Sequence, residues 1–260
     1  MPNLAEVTTP IPRGEGSYVL NIPTGWEQGR GAYGGLVMGA LARSILLSEQ
    51  DPERTLRSLT GTLPGPALNG TAILEVQALR RGHGASTWSA MLMQSEGVAA
   101  QVTAVLGKTR PHAPQHRPSA PNAPDWRSAP ILSSDLPFVP AFARNFEFRP
   151  TGPAPFSGGP VPETSGWIQP RMPVPLGAAE IVACSDVWWP AAFSTENAPR
   201  PAATIAFTLE LLALPETTDP LFHRGRVIAQ TDGYMVEFRE LWSATGQLLA
   251  LNQQTIVWIR

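Results

Sequence analysis

The chain is most informative in the segment Leu36–Ala42 (LVMGALA), where seven consecutive residues carry no charged or hydrogen-bonding side chain. A second segment, Gly177–Cys184 (GAAEIVAC), contains one acid and is otherwise small or apolar. The two segments predict helices that run from about Gly35 to Ser48 and from about Leu176 to Trp188. Because a helix without a polar face must be buried on all sides, other parts of the chain have to enclose each of them.

Strand-like segments accompany each predicted helix in the same order. In the first half they are Tyr18–Ile22, Arg57–Leu63, Ala72–Leu79, Ser86–Gln94 and Ala99–Leu106. In the second half they are Asn145–Arg149, Gly166–Pro170, Ala203–Leu211, Arg224–Thr231, Tyr234–Ser243 and Leu248–Ile259. The turn glycine Gly246 lies 149 residues after its counterpart Gly97, which indicates an internal repeat. The pattern predicts an α+β fold of two tandem hotdog domains, each a long buried helix wrapped by a curved antiparallel sheet.

A proline-rich segment separates the two halves. From Pro111 to Pro124 the sequence has prolines too closely spaced for a helix or a central strand. We therefore predict an N-terminal domain at residues 1–110, a linker at residues 111–144 and a C-terminal domain at residues 145–260.

Composition excludes several classes of partner. The formal net charge is −2 and there is no basic stripe, so no nucleic-acid partner is expected. The longest apolar stretch, Gly34–Leu47, is interrupted by Arg43 and Ser44 and is too short to insert across a membrane. The N-terminus has no secretion signal, which predicts a cytoplasmic protein. Charged residues make up only 15% of the chain, which favours a homodimer or a higher homo-oligomer.

Several patterns resemble the acyl-CoA thioesterase II (TesB-like) family, whose members contain two hotdog domains in one chain. The resemblance is carried by Gly31–Leu41, by the strand pair Ile73–Arg80 and Ser86–Gln94, by Cys184-Ser185-Asp186, by Ala203-Thr204-Ile205 and by Thr245–Gln254. It implies hydrolysis of an acyl-CoA substrate without a cofactor. It also implies a catalytic set of Asp186, Thr204 and Gln254. This chain has Ala206-Phe207-Thr208 where the family has Asp-His-Ser, so a different acyl pocket is expected.

Thioester hydrolysis requires an oriented water, a base and donors for the oxyanion. We expect Asp186, in an apolar helix, to have a pKa raised by burial, and Thr204 and Gln254 to hold the water. Gly34 and Gly35, with Tyr33 nearby, are the candidates for oxyanion and substrate binding at the N-terminus of the first helix. At the repeat offset, Asp186 and Gln254 fall on apolar positions of the first half, which predicts one site per chain.

Each of these residues also has a non-catalytic interpretation. Asp186 alone fits a cap or an arginine pair, Thr204 a strand former, and Gln254 a surface residue. Trp188 and Trp189 are expected in the core or the acyl-pocket wall, and Cys184 is expected to be a small buried hydrophobe rather than a nucleophile.

Other functions stay open beside hydrolysis. Gly29–Gly34 matches G-x-G-x-x-G with Asp51 downstream, but no buried parallel strand precedes it, which disfavours a dinucleotide site. Pro114 lies between His112 and His116, and no other ligand spacing occurs, so no metal is expected. An acyl-CoA hydratase or dehydratase of the same fold would need a histidine close to Asp186. A non-catalytic acyl-CoA-binding double hotdog is the remaining alternative.

Overall fold

The computed structural model describes residues 2–134 and 139–259, so residues 135–138 of the predicted linker and both terminal residues lie outside it. Within the described residues, the N-terminal half contains helices α1 (Leu4–Val7) and α2 (Gly34–Ser48) and strands β1 (Ile11–Gly14), β2 (Ser17–Ile22), β3 (Glu27–Gln28), β4 (Gly31–Ala32), β5 (Thr55–Thr62), β6 (Gly70–Arg81), β7 (Ala85–Gln94) and β8 (Gly97–Gly107). The C-terminal half contains helix α3 (Ala178–Cys184) and strands β9 (Phe146–Pro150), β10 (Glu163–Pro170), β11 (Ala202–Leu211), β12 (Leu221–Thr231), β13 (Tyr234–Trp242) and β14 (Leu248–Trp258).

Twelve strands form one continuous antiparallel sheet, in the order β1-β2-β6-β7-β8-β5-β11-β14-β13-β12-β10-β9. The two halves meet where β5 pairs with β11, with Thr60 opposite Thr208. The predicted α+β chain with a large antiparallel sheet is therefore confirmed. The described residues between Gly107 and Ala141 contain neither helix nor strand, as their prolines predict.

Helix α2 lies in the main core, as its apolar sequence predicts. Leu36, Met38, Leu41 and Ile45 are completely buried. Helix α3 packs closely against α2 at Gly39, where an added Cβ would lie 2.9 Å from a backbone carbonyl oxygen of α3. No helix in the described part of the chain has the length and apolarity that a membrane crossing needs.

Helix α3 is much shorter than predicted, because it ends at Cys184 and not near Trp188. The Ser185 side chain donates to the carbonyl of Ile181 at 2.8 Å, and the Asp186 N–H bonds back only three residues, to Ala183. Pro190 then excludes helical continuation, since it restricts the residue before it and has no N–H. Asp186 consequently lies in a tight turn after the helix, which corrects its predicted position within the helix.

Candidate active site

Asp186 lies at the point where the turn after α3 meets the N-terminus of α2. The side chain is 8% exposed, and its Oδ1 accepts a hydrogen bond from Gln254 Nε2 at 2.8 Å. The backbone N–H of Gly35 acts on the same carboxylate and lowers its pKa. A Cβ added to Gly34 would lie 2.6 Å from Asp186 Oδ2, so only glycine leaves room for this contact. The positive end of the α2 dipole therefore faces a carboxylate, which favours the ionised form.

Gln254 is completely buried on β14, and its side-chain amide is held on both sides. The Nε2 group donates to Asp186 and to Asn252 Oδ1, the latter at 2.9 Å, while Oε1 accepts from Thr204 Oγ1 at 2.8 Å. Asn252 Nδ2 in turn donates to the carbonyl of Thr208 at 2.8 Å. This last bond directs the Asn252 oxygen at Gln254 and so fixes which way round the Gln254 amide lies.

A β-bulge brings Thr204 to the same face as Gln254. Phe207 is the cross-strand partner of Gln254, and regular alternation from Phe207 would send Thr204 to the opposite face. The register shifts between Thr204 and Ala206, so that Thr204 pairs with Ile256, which shares a face with Gln254. The carbonyl of the bulged residue Ile205 accepts from the N–H of Leu63 at 3.1 Å, which anchors the bulge to the N-terminal half.

The structure thus joins Thr204, Gln254 and Asp186 in one hydrogen-bonded chain. The alternative interpretation of Gln254 as a surface residue is wrong, since the side chain has no exposed area. Thr204 is half-buried and Asp186 retains a small exposed surface, so these two residues form the accessible end of the chain of bonds.

Opposing effects determine the ionisation of Asp186. Burial raises the pKa of this carboxyl, while Arg239, Gln254 and the Gly35 N–H all act to lower it. The net direction is upward, as the sequence predicted. A carboxylate that is held by three donors and is still less acidic than usual has the character of a general base.

One of the predicted substrate-binding groups, Tyr33, needs correction. The Tyr33 side chain has no exposed area, since it stacks on Phe142 with ring centroids 4.4 Å apart and also packs on Trp26. Tyr33 therefore belongs to the aromatic core and does not line an accessible surface. The N–H of Gly35 lowers the pKa of the Asp186 carboxyl, which puts it at the start of α2 close to the acid. Gly34 and Gly35 stay candidates for binding the oxyanion.

Sequence reasoning missed four buried polar residues close to Asp186: Glu237, Arg239, Asn252 and His223. Alternation along β13 was the available signal, because Glu237 and Arg239 share the inward face with the apolar Met235 and Leu241. Similarly, Asn252 precedes Gln254 by two positions and therefore lies on the same face of β14.

His223 lies behind Trp188, with ring centroids 5.2 Å apart and nearly parallel planes. Burial, and then Arg239, lowers the pKa of His223 well below its usual value, so the ring is neutral. Trp188 is in the core, as one of its two interpretations predicted. Cys184 is also buried, and burial raises the pKa of its thiol far above the usual value, which agrees with a structural role.

A cleft in the C-terminal half lies away from Asp186. It has a volume of about 570 Å³ and is formed by the proline-rich segment over the aromatic residues Trp167, Phe222 and Trp242. None of the three bonded residues lines it. Among the described residues, no cluster of three or more histidine, cysteine or acidic side chains is arranged to hold a metal.

The G-x-G-x-x-G segment does not have the context of a dinucleotide site. Its central residues form β4, which pairs antiparallel with the two-residue strand β3. Asp51 is bonded to Lys108 at 2.9 Å and to Arg54 at 3.4 Å.

Comparison with known proteins identifies the family. The profile of the acyl-CoA thioesterase N-terminal domain matches residues 22–107, and the profile of the C-terminal domain matches residues 114–258. A search of curated protein sequences gave no significant match.

Solved structures share the fold across nearly the whole chain. A protein of unknown function with a hot dog fold from Alicyclobacillus acidocaldarius is 23% identical, with a TM-score of 0.89 over 99% of this chain and 98% of that one. A tesB protein from Mycobacterium avium subspecies paratuberculosis is 16% identical, with a TM-score of 0.82 over 99% and 98%. The acyl-CoA thioesterase II TesB2 from Mycobacterium marinum is 14% identical, with a TM-score of 0.77 over 98% of each chain. Together the two profiles cover most of the sequence, and the chain belongs to the acyl-CoA thioesterase family.

Proposed function

We propose that this protein is an acyl-CoA thioesterase that hydrolyses an acyl-CoA to the free acid and CoA with a water activated by Asp186, Thr204 and Gln254. The observation that carries the proposal is the hydrogen-bonded chain from Thr204 through Gln254 to Asp186. Family membership supports the choice of an acyl-CoA as substrate. We further propose that each half of the chain is a hotdog domain, with the predicted linker between them, and that they form one site.

The proposed reaction begins with the water that Asp186 and Thr204 hold. Because Thr204 donates its proton to Gln254, its oxygen lone pairs are free to accept a hydrogen bond from that water. The water oxygen attacks the thioester carbonyl carbon as Asp186 takes a water proton. The resulting oxyanion lies near the N-terminus of α2, where Gly34 is the proposed donor. The C–S bond then breaks, and Asp186 returns the proton to the leaving thiolate.

Replacement of Gln254 tests this assignment with a matched control in the next residue. We expect Gln254→Ala to lower kcat/KM at least about tenfold, because the acid and the threonine lose their shared partner. Gln253 lies on the exposed face of the same strand, so Gln253→Ala should leave the rate unchanged. The measurement is free-thiol release from a panel of acyl-CoAs of different length and branching.

The same panel separates hydrolysis from the alternatives. Hydration of an enoyl-CoA without thiol release would replace the proposal with a hydratase, and binding without turnover across the panel would indicate a non-catalytic acyl-CoA-binding protein. Equal losses in the Gln254 and Gln253 variants would also contradict the assignment. His223 is a buried histidine close to Asp186, so the panel decides between hydrolysis and hydration.

The pH dependence should report the ionisation of Asp186. The base must be ionised to act, so kcat/KM should fall as pH decreases through the pKa of Asp186. Because burial raises that pKa, the midpoint of the acid limb should lie above the ordinary aspartate value of about 3.9. A pH–rate profile of the wild type measures this midpoint, and a limb centred at or below the ordinary value would contradict the assignment of Asp186 as the base.

A further inference from the structure

The proposed base has a buried cation as its neighbour. Arg239 on β13 is only 2% exposed, and its Nη1 lies 3.5 Å from Asp186 Oδ1 and 3.4 Å from the carbonyl oxygen of Ser185. Arg239 therefore contacts both the side chain of Asp186 and the backbone of the turn that carries it.

Glu237 holds Arg239 in this place. Arg239 Nε donates to Glu237 Oε1 at 2.8 Å, and Glu237 Oε2 accepts from the N–H of Ala191 at 2.7 Å. Glu237 is itself completely buried, so both ends of the pair are removed from water. One guanidinium is consequently shared between two carboxylates, Glu237 and Asp186.

A gain in folding stability does not explain the presence of this buried ion pair. A buried ion pair is on average no more stabilising than apolar residues of similar volume, and the flanking inward residues Met235 and Leu241 are apolar. The sharing of one cation by two acids also leaves a net negative charge in an apolar environment, which is unfavourable unless a proton is taken up. An arrangement of this kind instead makes the ionisation of each acid depend on the other.

The other titratable groups around Asp186 in the described part of the chain are neutral or paired elsewhere. Burial raises the pKa of Tyr33 at the N-cap of α2 and of Cys184 on α3, and it lowers the pKa of His223 on β12. Glu180 on α3 forms an ion pair with Arg43 on α2. Arg239 is thus the charged group that acts directly on Asp186, and Glu237 is the buried ion-pair partner of Arg239.

We propose that Arg239, held by Glu237, is a positioning residue that orients the Asp186 carboxylate and sets the pH at which the site becomes active. The inference rests on the proposed function of Asp186 as the base. Burial raises the pKa of both acids and Arg239 lowers both, while Asp186 adds to the rise at Glu237, which agrees with competition of the two acids for one cation.

Two substitutions should move the acid limb of the pH–rate profile in opposite directions. Arg239→Met removes the cation and should shift the midpoint upward by about one pH unit or more. Glu237→Gln removes the competing acid and should shift the midpoint downward, by about half a unit. Arg239→Lys keeps the charge with a poorer fit and should fall between the wild type and Arg239→Met. The matched control is Arg224→Met on the exposed side of β12, which should leave the midpoint unchanged.

Opposite shifts would support the proposal, because a merely structural defect lowers the rate at every pH and does not move the midpoint. Unmoved midpoints, or shifts in the same direction, would overturn it. If Arg239→Met fails to fold, Glu237→Gln and Arg239→Lys decide by the same criteria.

A second measurement separates this inference from the thioesterase proposal. The carboxyl titration of Asp186 can be followed by NMR in protein with isotope-labelled aspartate, since the sequence has only six aspartates and Asp186→Asn assigns the signal. Opposite shifts of this titration in a protein without thiol release would support the positioning role and reject the thioesterase. Thiol release with an Asp186 titration that neither variant moves would support the thioesterase and reject the positioning role of Arg239.

Discussion

Asp186→Asn is expected to lower kcat/KM for acyl-CoA hydrolysis about a thousandfold, the largest loss expected from a substitution that keeps the fold intact. The asparagine amide keeps the size of the side chain and an oxygen that Gln254 can bond to, but it cannot take a proton from water. Initial rates of thiol release with the best acyl-CoA of the panel measure the loss. A rate within threefold of the wild type would remove Asp186 from the mechanism.

Unfolding measurements on the same variant provide the control. Because the folded-state pKa of Asp186 is raised, the folded state binds its proton more tightly than the unfolded chain does. Its contribution to stability is therefore present below the unfolded pKa and is lost as pH rises through the folded pKa. The neutral asparagine avoids this loss, so the stability of the variant relative to the wild type should improve as pH rises. A relative stability that falls with rising pH would contradict the burial argument.

Gly35→Ala is expected to have the largest effect on stability, about 3 kcal/mol of unfolding free energy, and to abolish activity. An added Cβ would lie 2.4 Å from the carbonyl oxygen of Ala183 and 2.5 Å from a ring carbon of Tyr33. The first of these contacts is with backbone, so α2 and α3 would have to move apart. The closest approach of the two helices is what places Asp186 against the start of α2. Chemical denaturation, together with thiol release, measures both effects.

Two alanine substitutions make this prediction specific. Gly14 has no atom within 4 Å of the added Cβ, so Gly14→Ala should be neutral. At Gly34 the added Cβ meets the end of the Asp186 side chain and not backbone, so Gly34→Ala should lower activity more than stability. Equal destabilisation by the Gly35 and Gly14 substitutions would show that close helix packing is not required.

The elements of the fold follow from local sequence patterns. The apolar run Leu36–Ala42 predicted a buried helix, and α2 lies within a residue of the predicted bounds. Residue alternation located the longer strands of both halves to within a few residues, because each has one face in the core. The short strands β1, β3 and β4 were not predicted. The pairing of β5 with β11 was not predicted, since contacts between distant strands leave no local pattern in one sequence.

The end of α3 shows where periodicity is insufficient. Val187 and Trp188 are as apolar as the helix, so hydrophobic pattern alone extends it too far. The Ser185 side chain bonds to a backbone carbonyl of the helix, and Pro190 excludes continuation because it has no backbone N–H. A pattern of apolar positions records neither effect. The same applies to the bulge before Ala206, which an alternating strand sequence does not reveal.

The sequence predicted the proposed catalytic residues of the site, but it did not predict the buried polar residues around them. The family resemblance supplied Asp186, Thr204 and Gln254, and the structure brings these three into contact. Asn252, Glu237 and Arg239 lie within the same buried network, but their contacts depend on strand register and on the turn after α3. Tyr33 was misplaced because an aromatic residue beside glycines fits a pocket wall and a packed core equally well.

The proposed mechanism requires that water, activated by Asp186, attacks the thioester directly. A single-turnover reaction in heavy-oxygen water, with enzyme in excess over acyl-CoA, tests this step. We predict that the released acid carries the heavy oxygen, that Asp186 stays unlabelled and that Asp186→Asn releases no acid on the same time scale. Heavy oxygen found in the Asp186 carboxyl, or unlabelled acid released in the first turnover, would show that the carboxylate itself attacks the thioester.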